Sequence, residues 1–228
     1  MCGRFTLTLP IEILSDYFGV NNADNTLKVK PRYNIAPNQS VLVVKTNEMN
    51  KKHKGKTFAW LRWGFIQSWL KGIGSHSINV RAETVANKPF FKEAFKKRRC
   101  LIVADGFYAW KHLRQSKLSY YIHKVSHSPL AIAGVWGEWQ DEDNKFVESC
   151  TLITTDANST VKPIHARMPV ILLKPQFDLW LDPDETNPLK LAQLLKPYQA
   201  TDLETYPVNS YVDNPMNDNA SCITKILL

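Results

Sequence analysis

The feature that most constrains this chain is a succession of β-forming segments broken by turn residues, with little helix between them. SVLVVK (40–45), TFAWLRWGF (57–65), SYYIHK (119–124), PLAIAGVWGEW (129–139), SCTLITTDA (149–157) and RMPVILL (167–173) are rich in β-branched and aromatic residues. RCLIVADGFYAW (99–110) reads as a strand that enters a turn at Asp105-Gly106 and leaves as a second strand. Helical periodicity is confined to a few places. Ile11, Leu14, Tyr17 and Phe18 share a helical face behind Pro10, and PFFKEAFKKR (89–98) is amphipathic with a basic outer side. PQFDLWL (175–181) and NPLKLAQLL (187–195) predict two more helices, and a last strand is expected near Tyr206-Pro207-Val208. Strands in hairpin-like order predict an α+β fold: a mainly antiparallel, curled (pseudo-barrel) sheet with a few flanking helices. No linker or repeat divides residues 1–228, so one domain is expected.

Charge narrows the partners. A net charge of +8 and a pI of about 9.3 attract polyanions such as nucleic acid, although solubility alone also explains them. NEMNKKHKGK (47–56) reads as a basic loop or hairpin tip. Lys92–Arg99 reads first as a solvated helix face and second as a DNA-steering patch. MCGRFTLTLP lacks the basic-then-apolar order of a signal peptide. No apolar run approaches the roughly 18 residues of a membrane span, so a cytoplasmic protein with no membrane partner is expected.

Cysteine usage adds a sharper clue. Cys2, Cys100, Cys150 and Cys222 are too widely spaced for a zinc motif or a disulfide framework, so no metal is expected. Cys100 and Cys150 sit in apolar runs and read as buried and inert. Cys2 follows the initiator Met, whose removal is expected before a small residue. A terminal cysteine carries an amine and a thiol on adjacent carbons, and the amine titrates near 7.7–8.0, so part of it is nucleophilic at neutral pH. It can condense with an aldehyde to an imine, which the thiol closes to a five-membered thiazolidine. The Met-Cys-Gly start also suits N-terminal-nucleophile amidotransferases, whose thiol attacks an amide.

The motifs downstream separate the two. The chain reads MCGRF (1–5), RYNIAP (32–37), LRWGFIQSW (61–69), INVRAET (78–84), RCLIVADGFYAW (99–110), LAIAGVWGEW (130–139), TLITTDAN (151–158), IHARMPVIL (164–172) and YPVNSYV (206–212). In order, spacing and wording this resembles the SRAP (SOS response-associated peptidase) family over essentially the whole length. The resemblance implies a protein that binds single-stranded DNA at an abasic site and links its terminal cysteine to the sugar aldehyde. The thiazolidine contains no imine, so it protects the strand from β-elimination. The family name implies a peptidase-like removal of residues ahead of the cysteine.

The resemblance carries roles over residue by residue. Cys2 matches the covalent residue. Asn79 matches the side chain that orients terminus and sugar, and its amide donates and accepts at once. His165 matches the acid/base beside the sugar oxygen, as an imidazole suits near neutral pH. Without the motif each reads as an ordinary structural Asn or His. The fourth position departs from the pattern: GFYEW is expected, and Ala109 stands where the glutamate belongs. A methyl group neither opens a sugar ring nor shuttles a proton, so a slowed reaction is expected. Glu83 and Glu138 are candidate substitutes.

Arg4, Arg81 and Arg167 lie inside the same motifs and suit bidentate phosphate contact, with internal ion pairs to Asp105 or Glu83 as the alternative. Trp69, Trp110 and Pro37 are candidates for a platform under the neighbouring bases. Trp60, Trp136 and Trp180 read as core. No organic cofactor is implied, and a monomer is expected. Two other readings stay open: a module that holds abasic DNA without covalent chemistry, and an N-terminal-cysteine peptidase or amidohydrolase.

Overall fold

In the computed structural model of the chain, the residues described are 3–20, 27–46, 55–66, 77–140, 144–199 and 201–227. Strand β1 (Phe5–Leu7) and helix α1 (Ile11–Phe18) open the fold. Strands β2 (Arg32–Ile35), β3 (Ser40–Thr46) and β4 (Lys56–Trp63) follow, then β5 (Asn79–Arg81), which runs directly into α2 (Ala82–Val85). Helix α3 (Pro89–Lys97) precedes the long strands β6 (Arg99–Ala104), β7 (Gly106–His112), β8 (Lys117–Lys124), β9 (Leu130–Gln140) and β10 (Phe146–Asp156). The last part holds β11 (Arg167–Pro169), β12 (Ile171–Leu172), α4 (Phe177–Leu181), α5 (Pro188–Ala192) and β13 (Leu203–Val208). The fold is α+β, as the strand-rich pattern implies.

The strands sort into two sheets, and one of them closes. β3 pairs antiparallel with β4 and with β6, β6 with β9, and β9 with β10. β10 then meets β4 in parallel, Ser149 beside Arg62 and Cys150 beside Trp63, which completes a five-stranded barrel and removes its edges. β6 is buried on both faces, which explains why RCLIVA reads as an unbroken apolar run. Its outer side is covered by α3, α4 and β1. A Cβ on Gly134 would lie 3.0 Å from the Thr151 carbonyl and 3.1 Å from Cys100 Sγ, so a larger residue would crowd β9 where it passes between its neighbours. Cys100 and Cys150 are fully buried here, and burial raises both thiol pKa values.

The second sheet has the order β13-β8-β7-β1-β2, all antiparallel. Alternation along β7 points Phe107 and Ala109 into the main core, while Tyr108 packs on the other face with Tyr121, Val208, Val212 and Cys222. The C-terminal segment covers that second face.

Several expectations are corrected. The Asp105-Gly106 turn does not make a hairpin, because β6 and β7 belong to different sheets and the chain crosses between them there. Asp105 is instead an anchor, accepting from Thr6 Oγ1, Thr8 N, Thr8 Oγ1 (2.7 Å) and Leu9 N (3.1 Å). Gly106 is required because a Cβ would sit 2.2 Å from Tyr121 Oη. Trp60 is 41% exposed rather than core, whereas Trp136 and Trp180 are buried as expected. Arg99 leaves the basic helix face altogether. It is buried, and its guanidinium donates to the carbonyls of Phe95 (2.8 Å), Trp180 (2.6 Å), Glu185 (3.0 Å), Lys96 and Asp182. RMPVILL is two strands, split at Val170, whose N–H donates to the Ile153 carbonyl and whose carbonyl accepts from Ala133. Residues 47–54 of the basic loop lie outside the described residues, as do Cys2 and Trp69.

Candidate functional site

Chain termini normally fray unless something ties them down. Here β1 is an interior strand, with Phe5 opposite Phe107 on one side and opposite Ile35 on the other. The Tyr108 N–H donates to the Arg4 carbonyl at 3.0 Å, and the Asp105 carboxylate grips the turn after the strand. The Arg4 side chain fastens the strand to the C-terminal segment. Its Nη1 donates to Asn34 Oδ1 (2.9 Å) and the Val212 carbonyl (2.8 Å), and its Nη2 to the Asp213 carbonyl (3.3 Å). Burial lowers its pKa. The expected phosphate contact is therefore not what these donors serve here: Arg4 is a clamp.

Ala109 is 3% exposed and lies opposite Tyr120. Continuing the register in which Phe5 faces Phe107 brings Gly3 level with Ala109. Trp110 is half-buried on the other face. Its Nε1–H donates to Asp213 Oδ1 at 2.6 Å, and Lys117 Nζ stands 5.9 Å from its ring. Ser119 (3.1 Å) and Lys117 (3.1 Å) complete the shell of Asp213. Burial works to raise the Asp213 pKa, but the hydrogen bonds from Trp110 and Lys117 outweigh it and hold the carboxyl low. His112 ends β7 on the surface.

The second group gathers at the C-terminal end of β10. β5 lies along one side of it, Asn79 beside Leu152 and Arg81 beside Thr154, and β11 along the other, Arg167 opposite Asp156. Asn79 is half-buried and Arg81 exposed. Arg167 donates to both oxygens of Glu83 (2.8 and 3.0 Å), to Asp156 Oδ1 (2.7 Å) and to the Thr154 carbonyl (2.7 Å). The internal ion pair with Glu83 that competed with the phosphate reading is thus present. The Arg167 hydrogen bond holds the Glu83 pKa low.

His165 precedes β11. Its Nδ1 lies 3.0 Å from the Arg167 main-chain nitrogen and 3.1 Å from the Arg167 carbonyl, which fixes that edge of the ring against the backbone. Desolvation lowers its pKa, and His112 adds a like-charge contribution. Pro37, half-buried, sits in the turn by which the chain passes from β2 in one sheet to β3 in the other. Of the candidate substitutes for the missing glutamate, Glu83 is engaged by Arg167, and Glu138 is an exposed residue of β9 opposite Glu148. Sequence reasoning missed Asp213 and His112. The only signal for Asp213 is an Asn/Asp-rich tail, and His112 lies two residues beyond a motif.

Comparisons with known proteins place the chain in a family. The family model described as SOS response associated peptidase (SRAP) matches residues 1–215. The abasic site processing protein YoaM of Bacillus subtilis is 39% identical over 226 residues, covering 98% of this chain and 97% of its own. The abasic site processing protein HMCES of Xenopus tropicalis is 29% identical, covering 88% of this chain and 68% of its own. A crystal structure of a protein from Bacteroides thetaiotaomicron superposes with a TM-score of 0.83 over 99% of this chain and 100% of its own, at 23% identity.

Proposed function

This chain belongs to the SRAP family, and from that premise we propose that it processes abasic sites in single-stranded DNA by forming a covalent link through Cys2. The observation that carries the reading is the seating of β1. A chain that uses its first residues as a reagent needs them held, and here the fourth to seventh residues are fixed by flanking strands, by Asp105 and by the Arg4 side chain.

The reaction needs Met1 removed so that the Cys2 amine is free. That amine adds to the open-chain aldehyde of the abasic sugar, and loss of water gives an imine. The Cys2 sulfur then adds to the imine carbon, and the nitrogen takes up a proton. Aldehyde and aminothiol thus become thiazolidine and water. His165 is the proton carrier: its lowered pKa keeps the ring neutral near pH 7. Asn79 orients the amine and sugar hydroxyl. Arg81 and Arg167 contact flanking phosphates, while Pro37, Trp110 and Trp69 support the adjacent bases. No metal or organic cofactor takes part, and the protein acts as a monomer in the cytoplasm.

Ala109 favours one second reading. A buried methyl replaces the carboxylate that would open the sugar ring, so the protein could hold abasic DNA non-covalently. Single-stranded DNA with one abasic site, run on a denaturing gel beside Cys2→Ala, separates the two. A Cys2-dependent shifted band supports the covalent reading. Native binding without that band, in protein whose intact mass lacks Met1, leaves the non-covalent one.

A further inference from the structure

We propose that Glu83 is a built-in stand-in for DNA phosphate, occupying the Arg167 guanidinium in the free protein and leaving it when a strand binds. The inference rests on the reading of this site as one that binds single-stranded DNA.

Donor counting carries the argument. A guanidinium offers five N–H groups, four of them on its terminal nitrogens. Glu83 takes one from each, at 2.8 and 3.0 Å, in the two-pronged geometry that a phosphate also adopts. Asp156 takes the other Nη1 proton at 2.7 Å, and the Thr154 carbonyl takes the other Nη2 proton at 2.7 Å. The fifth, on Nε, is buried without a partner among the described residues. Every terminal donor is spoken for, so a phosphate reaches this fork by replacing an acceptor.

Glu83 is the acceptor placed to leave. The Thr154 carbonyl is fixed by its strand, and Asp156, although its side chain is more exposed at 78%, takes a single Nη1 proton and does not span the fork as a phosphate would. Glu83 is half-exposed, its side chain carrying 50% of its full accessibility against 18% for Arg167, so it can swing into water while the arginine stays. A two-pronged pair stands at the strong end of what a half-exposed ion pair contributes, so the ligand that replaces Glu83 must match its geometry. A ligand that sets a phosphate squarely on the fork displaces Glu83 readily, whereas a loosely held polyanion does not. Glu83 thereby lowers affinity for polyanions at large and rewards correct placement of the strand.

Equilibrium binding of an unmodified single-stranded oligonucleotide, read by fluorescence anisotropy across a salt series, tests this without any covalent step. Glu83→Gln is expected to tighten binding about 3–5-fold near physiological salt. It should also steepen log K against log salt by about one. Removing an acid near DNA can help through the long-range field alone, so the deciding comparison is made in an Arg167→Gln background. There Glu83→Gln should change affinity by less than about 1.5-fold, and Glu83→Ala, the second variant, should behave likewise. Equal gains in both backgrounds, or no gain in either, overturns the inference. An unmodified protein that fails to bind single-stranded DNA removes the proposed function and this inference together. Binding without a Glu83 effect removes the inference alone.

Discussion

The main-chain N–H of Arg167 lies 3.0 Å from Nδ1 of His165 and the Arg167 carbonyl 3.1 Å from the same nitrogen, so the backbone of one residue holds the ring of the other by a single edge. Below its lowered pKa the ring carries both protons and no longer accepts one from substrate. The crosslinking rate therefore depends on two titrations. The Cys2 amine must be neutral, which gives log rate a slope of about one against pH below roughly 8. His165 must also be neutral, so the slope is expected to reach about two below the His165 pKa, which lies under the usual 6.5 or so. In His165→Gln the rate should be lower and the slope should stay near one throughout. Single-turnover rates from pH 5 to 9 check this, and an unchanged profile in the variant assigns the proton to another group.

Ala109→Glu restores the family carboxylate. If sugar opening limits the reaction, the single-turnover rate should rise about 10²–10⁴-fold. The same change puts a larger, charged side chain at a position that is 3% exposed. A stability loss of about 1–3 kcal/mol is expected, read by urea unfolding. A faster but less stable protein supports the assignment, and an unchanged rate refutes it.

Asp105→Ala leaves the donors of Thr6, Thr8 and Leu9 without their shared acceptor. The expected cost is about 3 kcal/mol or more, since these bonds are to a charged group and lie at or near full burial. Because the same bonds seat β1, crosslinking should fall at temperatures where the fold is still intact by circular dichroism. Activity that tracks the folded fraction would mean that Asp105 serves stability alone.

Arg99→Ala is expected to cost about 3–5 kcal/mol, because five carbonyls around α3 and α4 lose their donor. DNA affinity of the folded protein should not change. Lys92→Ala and Lys97→Ala, both on the exposed side of α3, should leave stability within about 0.5 kcal/mol. Any DNA-steering role of this basic run belongs to those lysines, and an affinity loss in Arg99→Ala would contradict the division.

Most strands and helices were legible because their signals are local. SVLVVK, the amphipathic 89–98 segment and the two late helices lie where alternation and periodicity predict. What the sequence did not disclose is which strands meet. Asp105-Gly106 carries the composition of a hairpin turn, yet Gly106 answers to Tyr121 fifteen positions away and Asp105 to Thr6 and Thr8. Charge likewise does not announce its partner. Arg4, Arg99 and Arg167 all read as surface cations, and each is satisfied by acceptors that only the tertiary fold supplies. The motif residues Asn79, His165 and Ala109 were legible through resemblance, whereas Asp213 was not, because its role depends on where Trp110 comes to rest.

The clamp on β1 has a consequence for the order of events during synthesis. Arg4 is made 208 positions before its carbonyl partner Val212. Phe107, opposite Phe5, comes roughly midway. At about 5–20 residues per second the amino end therefore waits roughly 10–40 s before its last partner emerges. Through that interval the segment around Arg4 lacks its C-terminal clamp. Trimming of Met1 has this window in which to act on a terminus that the finished sheet does not yet hold.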